Sequence, residues 1–493
     1  MYYIGVDLGT SAVKLLLVDE TGEIVNSASR EYPLYFPENG WSEQSPEDWI
    51  KGVESGLEEL LNSFDASLVS GLSVGGQMHG LVVLDEQDNV IRPAILWNDG
   101  RTEKQTQYLN DVIGKDKLSE YTANIAFAGF TAPKILWMKE NEPELFARIA
   151  KIMLPKDYIV YKLTGVHSCD YSDASGMLLL DVKNKCWSRE MLNICGVTES
   201  QLPALYESFE TVGMIKPEFA ARYGLGTVPV AAGAGDNAAA AIGTGTVGNG
   251  KCNISLGTSG TVFISSDSFG VDKNNALHSF AHADGRYHLM GCMLSAASCN
   301  KWFTEDILDS SDYAGLQADI TDEMLGKNSV YFLPYLMGER SPLNDVNARG
   351  TFTGLSMNTT RADMLLAVFE GVAFAIRDSF EKAKELGLSF EACNICGGGA
   401  KSPLWKKIMA NVLNVRLDTM KTEQGPGYGA AILAMVAAGK YATVDAACAE
   451  LVKTASSVYP DAGLAAIYEK KYRHFRKIYP ALKDFFAETG MEE

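Results

Sequence analysis

Asp7 stands in the stretch GVDLGTSAVK, residues 5–14, at the end of an alternating apolar run and just before a turn built of glycine, threonine and serine. Such a turn between two strands presents backbone amides and hydroxyls into one concavity, which suits phosphate oxygens. A carboxylate among phosphates is repelled unless a cation lies between them, and Mg²⁺ binds through one or two carboxylates and several waters. LGTS returns 248 residues later, about half the 493-residue chain, in NISLGTSGTV, with Ser255 where the first turn has Asp7. Two such turns facing each other would grip a polyphosphate from both sides, and only one of them needs to hold the metal. Thr10, Ser11, Gly257, Thr258 and Ser259 are the candidate phosphate cradle. Lys14, just beyond the first turn, is open to two interpretations, a reach to the terminal phosphate or a strand-surface lysine.

Further glycine-rich segments follow apolar, strand-like runs. In VPVAAGAGDNAAAAIG, Gly233, Gly235 and Ala238 fit a dinucleotide-binding fingerprint formally, but that motif expects an acid about 20 positions on. No acid occurs between Lys251 and Ser265. Asp236 falls instead at a helix start, where the dipole favours negative charge; a plain cap and a chemical role both remain open from this stretch alone. In ICGGGAKSPLW, glycines 397–399 let a flat ligand face lie on the backbone, and Ser402 with Pro403 start a helix whose amides point the same way. Gly398, Gly399, Ala400 and Lys401 are therefore candidate nucleotide contacts. The small-residue helices at 237–243 and 429–438 form a matched pair suited to a hinge. His79, after two glycines and a strand, is either satisfied within the protein or a ligand contact.

The elements that position these residues alternate as strands and helices, the pattern of an α/β fold. SPEDWIKGVESGLEELLNSF predicts a helix capped by Ser45 with Pro46 in the first turn. EKKYRHFRKIYPALKDFF predicts a single basic amphipathic surface helix. Glycine density without periodicity in GTGTVGNGK sets the expected boundary between units 1–246 and 247–493. A composition of 46% hydrophobic and 21% charged residues is that of a globular protein, and the net charge of −19 argues against nucleic-acid partners. Nine cysteines without framework spacing fit reduced thiols, and the Cys393–Cys396 pair lies in an apolar strand-like run with no second pair to complete a zinc site. With no cationic-apolar leader and no membrane-length apolar run, the expectation is a soluble, cytoplasmic protein acting on a small molecule, with no membrane partner.

In order, DLGTS, GAGDNAA, SLGTSG and GGGAKSPLW resemble the first phosphate turn, catalytic-aspartate segment, second phosphate turn and adenosine segment of the FGGY family of carbohydrate kinases. FTAPKILWMKEN and GTFTGLSMNTTRADMLLAVFEG resemble two further stretches of that family, so the likeness covers essentially the whole chain. It implies two duplicated ribonuclease-H-like domains of the actin, Hsp70 and sugar kinase type with an interdomain cleft, and ATP with Mg²⁺ as co-substrate and metal. GGQMHGLVVLD, ILWNDGR and GWSEQSPEDW resemble members that phosphorylate D-xylulose, with ribulose, gluconate or glycerol kinases and a non-catalytic sugar- or nucleotide-binding protein as alternatives. The resemblance further implies Asp236 as general base and metal neighbour beside Asp7. Met78, His79, Trp97, Asn98, Asp99, Arg101 and Asn237 would then lie at the sugar, and a homodimer is the expected assembly.

Overall fold

The computed structural model describes residues 1–490; the last three residues of the expected second unit lie outside the described residues. The first half opens with strands β1 (Tyr2–Leu8), β2 (Ala12–Asp19) and β3 (Ile24–Glu31), followed by helix α1 (Pro46–Leu61) and strand β4 (Val69–Gly76). Helices α2 (Thr131–Asn141) and α3 (Pro155–Thr164) follow, then short strands β5 (Thr211–Met214), β6 (Pro229–Ala231) and β7 (Ala234–Gly235), and helix α4 (Asp236–Gly243). These strands form one sheet in the order β5-β6-β4-β1-β2-β3, with β7 on the end of β4. The apolar residues of β1 and β2 are almost all buried, because helices cover both faces of the sheet.

The second half repeats the plan. Strands β8 (Cys252–Leu256), β9 (Gly260–Ser266), β10 (His278–Ala281), β11 (Tyr287–Met293), β12 (Ala392–Cys396), β13 (Arg416–Met420) and β14 (Thr454–Val458) form a sheet in the order β10-β11-β9-β8-β12-β13-β14. Apart from the added edge strand β10 here and the short β7 there, the pairings match those of the first sheet one for one. Each opening hairpin is antiparallel, and each first strand then pairs in parallel with the strand that follows the long insertion. The returning LGTS therefore marks the same hairpin of a duplicated fold.

Helices α5 (Arg361–Glu385), α6 (Pro403–Leu413) and α7 (Gly425–Ala437) complete the frame. α4 follows the third parallel strand of the first sheet and α7 follows that of the second, and the two helices cross at backbone contact. A Cβ on Gly429 would stand 1.8 Å from the Ala239 carbonyl oxygen, and one on Gly243 would stand 2.1 Å from that of Gly425. The alanine and glycine run of each helix is thus required by its partner.

Two sequence expectations change. Ser45 occupies the N-cap of α1 with Pro46 at the first helical position, but its hydroxyl makes no capping bond. The basic C-terminal helix is two, Ala462–Phe475 and Ile478–Gly490, because Pro480 has no N–H to give the carbonyl of residue 476 and its ring would collide with it. Cys393 and Cys396 lie on β12 as expected, and all nine cysteines are free. No helix among the described residues is long and apolar enough to cross a membrane.

Candidate active site

The site begins where β1 and β4 end side by side, Asp7 beside Gly75 and Leu8 beside Gly76 in parallel register. β7 adds Ala234 and Gly235 next to the same two glycines, so Asp236, the first residue of α4, is delivered to the end of the strand that carries Asp7. Burial lifts the Asp7 carboxyl to about 6 against the opposing charge of Lys14. Burial and the nearby charge of Asp7 lift Asp236 to about 7, opposed by a hydrogen bond from the Asn237 amide at 2.6 Å. Asp236 thus registers the charge of Asp7, and neither carboxylate forms an ion pair with arginine or lysine within the described residues. Among those residues no group of three or more histidine, cysteine or acidic side chains could cage a metal. Two under-compensated carboxylates fit Mg²⁺, which takes few protein ligands and completes its shell with water and phosphate.

Both turns are braced through their carbonyls, and in the first the Gly9 amide is itself given to the Ala12 carbonyl at 3.0 Å. In the first, Tyr32 donates its hydroxyl to Gly9, and Gln44 donates to the Thr10 carbonyl at 2.6 Å. In the second, the amides of Ala297 and Ala296 hold the carbonyls of Gly257 and Thr258, each at 2.9 Å. Ser11, Thr258 and Ser259 are exposed, while the Thr10 hydroxyl is taken up by Gln77 at 3.3 Å and by the indole N–H of Trp97 at 2.9 Å. Lys14 pairs opposite Asp7 in the hairpin and donates to Gln424, which caps α7, tying the first turn to the second half.

Gly257 and Thr258 line a cavity of about 700 Å³ together with Gly398, Gly399 and Lys401. A Cβ on Gly398 would meet nothing within 4 Å, so a bare backbone face is open to this space. Ser402 caps α6 through the Trp405 amide and donates to Gln317 at 2.6 Å. Ala400 and Lys401 face a neighbouring cavity of about 500 Å³ on the other side of the same loop. Asn300, Tyr313 and Gln317 also line the larger cavity and were not anticipated; they come from a stretch without a glycine-rich turn, which only the packing of the second half brings in.

His79 adopts a left-handed backbone with φ of 70°, and Thr131 and Lys134 both bind its carbonyl at 3.0 Å. Lys134 is fully buried, and burial depresses it to about 7. His79 Nδ1 meets the Gly176 carbonyl at 2.8 Å and so carries the proton, leaving Nε2 as an acceptor; burial, above all, pushes the ring's pKa far down and keeps it neutral. Gly176 has no room for any side chain, since a Cβ would lie 2.4 Å from the His79 ring. Met78 packs against Gly235, the residue before Asp236. The sequence therefore brings Met78, His79, Asp236 and Asn237 to one place.

Trp97 and Asn98 are exposed at the margin. The side chains of Asp99 and Arg101 are buried and paired within the protein. Asp99 binds the guanidinium of Arg101 at 2.7 Å and the Ser42 amide at 2.6 Å, while Arg101 also pairs with Glu43 at 2.7 Å beneath the Trp41 ring. They brace the loop that carries Trp97.

A second buried cluster underlies Asp236. Lys156, with no exposed surface, lies 2.5 Å from Asp157, 2.9 Å from Asp170 and 3.9 Å from Asp173. Ser172 links it onward, donating to Asp170 and accepting from the Gly235 amide at 3.3 Å. One cation faces three buried carboxyls, and burial pushes that of Asp173 well up. His278, which the sequence left without a role, joins the wall beside His79 through Phe130 and Phe127.

Known proteins place this geometry in context. The model of the FGGY family of carbohydrate kinases, N-terminal domain, matches residues 2–243, and that of the C-terminal domain matches residues 252–438. Xylulose kinase of Escherichia coli (strain K12) is 40% identical over 98% of this chain and 100% of its own length. The crystal structure of a xyloylose (xylulose) kinase from Brucella ovis superposes with a TM-score of 0.94 at 39% identity, covering 98% of this chain and 100% of that one. Gluconate kinase from Lactobacillus acidophilus superposes with a TM-score of 0.93 at 27% identity, covering 99% of both chains.

Proposed function

The chain belongs to the FGGY family of carbohydrate kinases, and from that premise we propose that it transfers the γ-phosphoryl group of ATP to D-xylulose, giving ADP and D-xylulose 5-phosphate. The observation that carries the reading is the convergence of Asp236, raised to about 7, with Asp7 and the Met78–His79 turn at the ends of three neighbouring strands. Phosphoryl transfer of this type needs alignment, charge neutralisation and a proton acceptor more than covalent help from the protein. Asp236 takes the proton of the 5-hydroxyl as its oxygen bonds to the γ-phosphorus, and the bond to the bridging oxygen of ADP breaks. A carboxylate titrating near 7 is well matched to that task at neutral pH.

In this reading Asp7 and Asp236 would hold Mg²⁺, which supplies charge neutralisation to the phosphates. Ser11, Thr258, Ser259 and the amides of both turns bind phosphate oxygens, and Thr10 orients Trp97 over the first turn. Gly257, Gly398, Gly399, Ala400 and Lys401 line the nucleotide's path. His79 Nε2 accepts from a sugar hydroxyl, Asn237 contributes a polar contact, Met78 and Trp97 cover carbon faces, and Asn98 lies at the rim. Units 1–246 and 247–493, a cytoplasmic location and a homodimer belong to the same reading.

The same fold serves other acceptors in relatives such as the gluconate kinase, at lower identity than the xylulose kinases of E. coli and B. ovis. ATP consumption measured with D-xylulose, ribulose, gluconate and glycerol discriminates among them. The expected result is the highest kcat/KM with D-xylulose; a higher value with any other acceptor overturns the substrate assignment.

A further inference from the structure

Arg340 belongs to the second half, on a loop laced to the end of β11. Glu339 accepts from the amides of Leu294 at 3.0 Å and Arg340 at 2.7 Å, and the Ser341 amide donates to the Cys292 carbonyl at 2.9 Å. From this support the guanidinium reaches across to the first half and lies 5.1 Å from the centre of the Phe127 ring. Phe127 contacts Phe130 and His278, and Phe130 contacts His79, so the cation stands at the aromatic wall of the candidate sugar site. Its charge acts on His79 and on His278.

The hydrogen-bond inventory of this wall is otherwise nearly spent. Lys134 donates to the carbonyls of His79 and Gly129, and His79 Nδ1 donates to Gly176. The Trp97 N–H goes to Thr10, and the Gln77 amide goes to Gln44 and Gly9. Arg340 differs: its guanidinium forms no ion pair within 4 Å and donates to no oxygen among the described residues, its polar neighbours being the Cys292 thiol and, through charge, the Glu339 carboxyl. Arg92, Arg101, Arg286 and Arg377 all pair with carboxylates. Beside Arg340's five donors the wall offers His278, neutral and with a single N–H, whose Nε2 is buried without a hydrogen-bond partner among the described residues.

A ketone oxygen can only accept, and so can His79 Nε2, so the carbonyl end of a ketose needs donors that His79 cannot give. We infer that Arg340 is a specificity-determining residue, donating hydrogen bonds from the second half to the oxygens at the carbonyl-bearing end of the ketose, remote from the hydroxyl that reacts at Asp236. The inference rests on the ketose-kinase reading above. The two fail separately: the acceptor panel with unaltered protein tests the reading, and the Arg340 variants test the residue.

Arg340→Met keeps apolar length against Phe127 and removes every donor; Arg340→Lys keeps one charged donor group. Dissociation constants are measured by calorimetry for D-xylulose and for each of the two epimeric pentitols made by reducing its ketone, alongside steady-state kinetics and thermal melting. Loss of a charged hydrogen bond to the ligand predicts that Arg340→Met weakens D-xylulose binding about 30-fold. The loss should appear in the KM for sugar more than in kcat, and the preference for ketose over either pentitol should shrink to within about threefold. Arg340→Lys should fall between, and it carries the test if the methionine variant does not fold. Equal weakening of ketose and pentitols, or a rise confined to the KM for ATP, overturns the inference, as does a lowered melting temperature with sugar preference intact.

Discussion

The two hairpins that carry LGTS share a backbone plan and differ in charge. In the first, Asp7 pairs opposite Lys14; in the second, Ser255 pairs opposite Thr261. The second turn is also one residue tighter, closing Leu256 on Gly260 where the first closes Leu8 on Val13. Their supports differ as well: the side chains of Tyr32 and Gln44 hold carbonyls of the first turn, and the amides of Ala296 and Ala297 with the Ser298 hydroxyl hold those of the second. A duplicated scaffold thus supplies two like turns, and on the proposed reading the single acid at one of them fixes which side holds the metal. The acid belongs on the side where α4 also brings Asp236.

Making the first turn like the second should have the larger effect. Asp7→Ser is expected to lower kcat/KM by about a hundredfold and raise the Mg²⁺ concentration for half-maximal rate, because the metal loses a carboxylate. An unchanged Mg²⁺ titration would mean that the two turns are functionally equivalent. The reverse exchange is milder. Ser255→Asp puts an extra negative charge at the second cradle and should raise the KM for ATP by about tenfold, less so at high salt. A lower KM would show that the second turn also recruits a cation.

A smaller effect concerns stability. Asp236 titrates near 7 in the folded protein against an ordinary value of 3.8, so folding takes up a proton between those values and its contribution to stability falls as pH rises through that range. Without ligands, Asp236→Asn should therefore melt about 2–4 °C above the unaltered protein at pH 8, with the gap closing near pH 4. A constant gap across that range would place the charge elsewhere.

The parts of this site that the sequence makes legible are local. A glycine turn between two strands, an acid at a helix start and a run of alanines each announce themselves within a few residues, and the repeat of LGTS exposes the duplication. What is hidden depends on distant packing. Nothing near Asp99 or Arg101 foretells that they would close on each other and on Glu43 under Trp41. The Lys156 cluster joins residues from α3 and from segments 168–174 and 208 beneath Asp236, and Arg340 and His278 reach the Phe127 wall from the other half. Pro480 was visible, and its consequence for the last helix follows from its missing N–H; the basic pattern around it masked the break.

The central claim is that Asp236 is the proton acceptor for transfer between ATP and D-xylulose. Its most direct test is Asp236→Asn, with calorimetric binding of each ligand measured beside rapid-quench turnover. The account predicts near-normal affinity for D-xylulose and ATP with turnover reduced by roughly a thousandfold or more, because shape is kept and the base is lost. Turnover close to that of the unaltered protein, with both ligands bound, would contradict it.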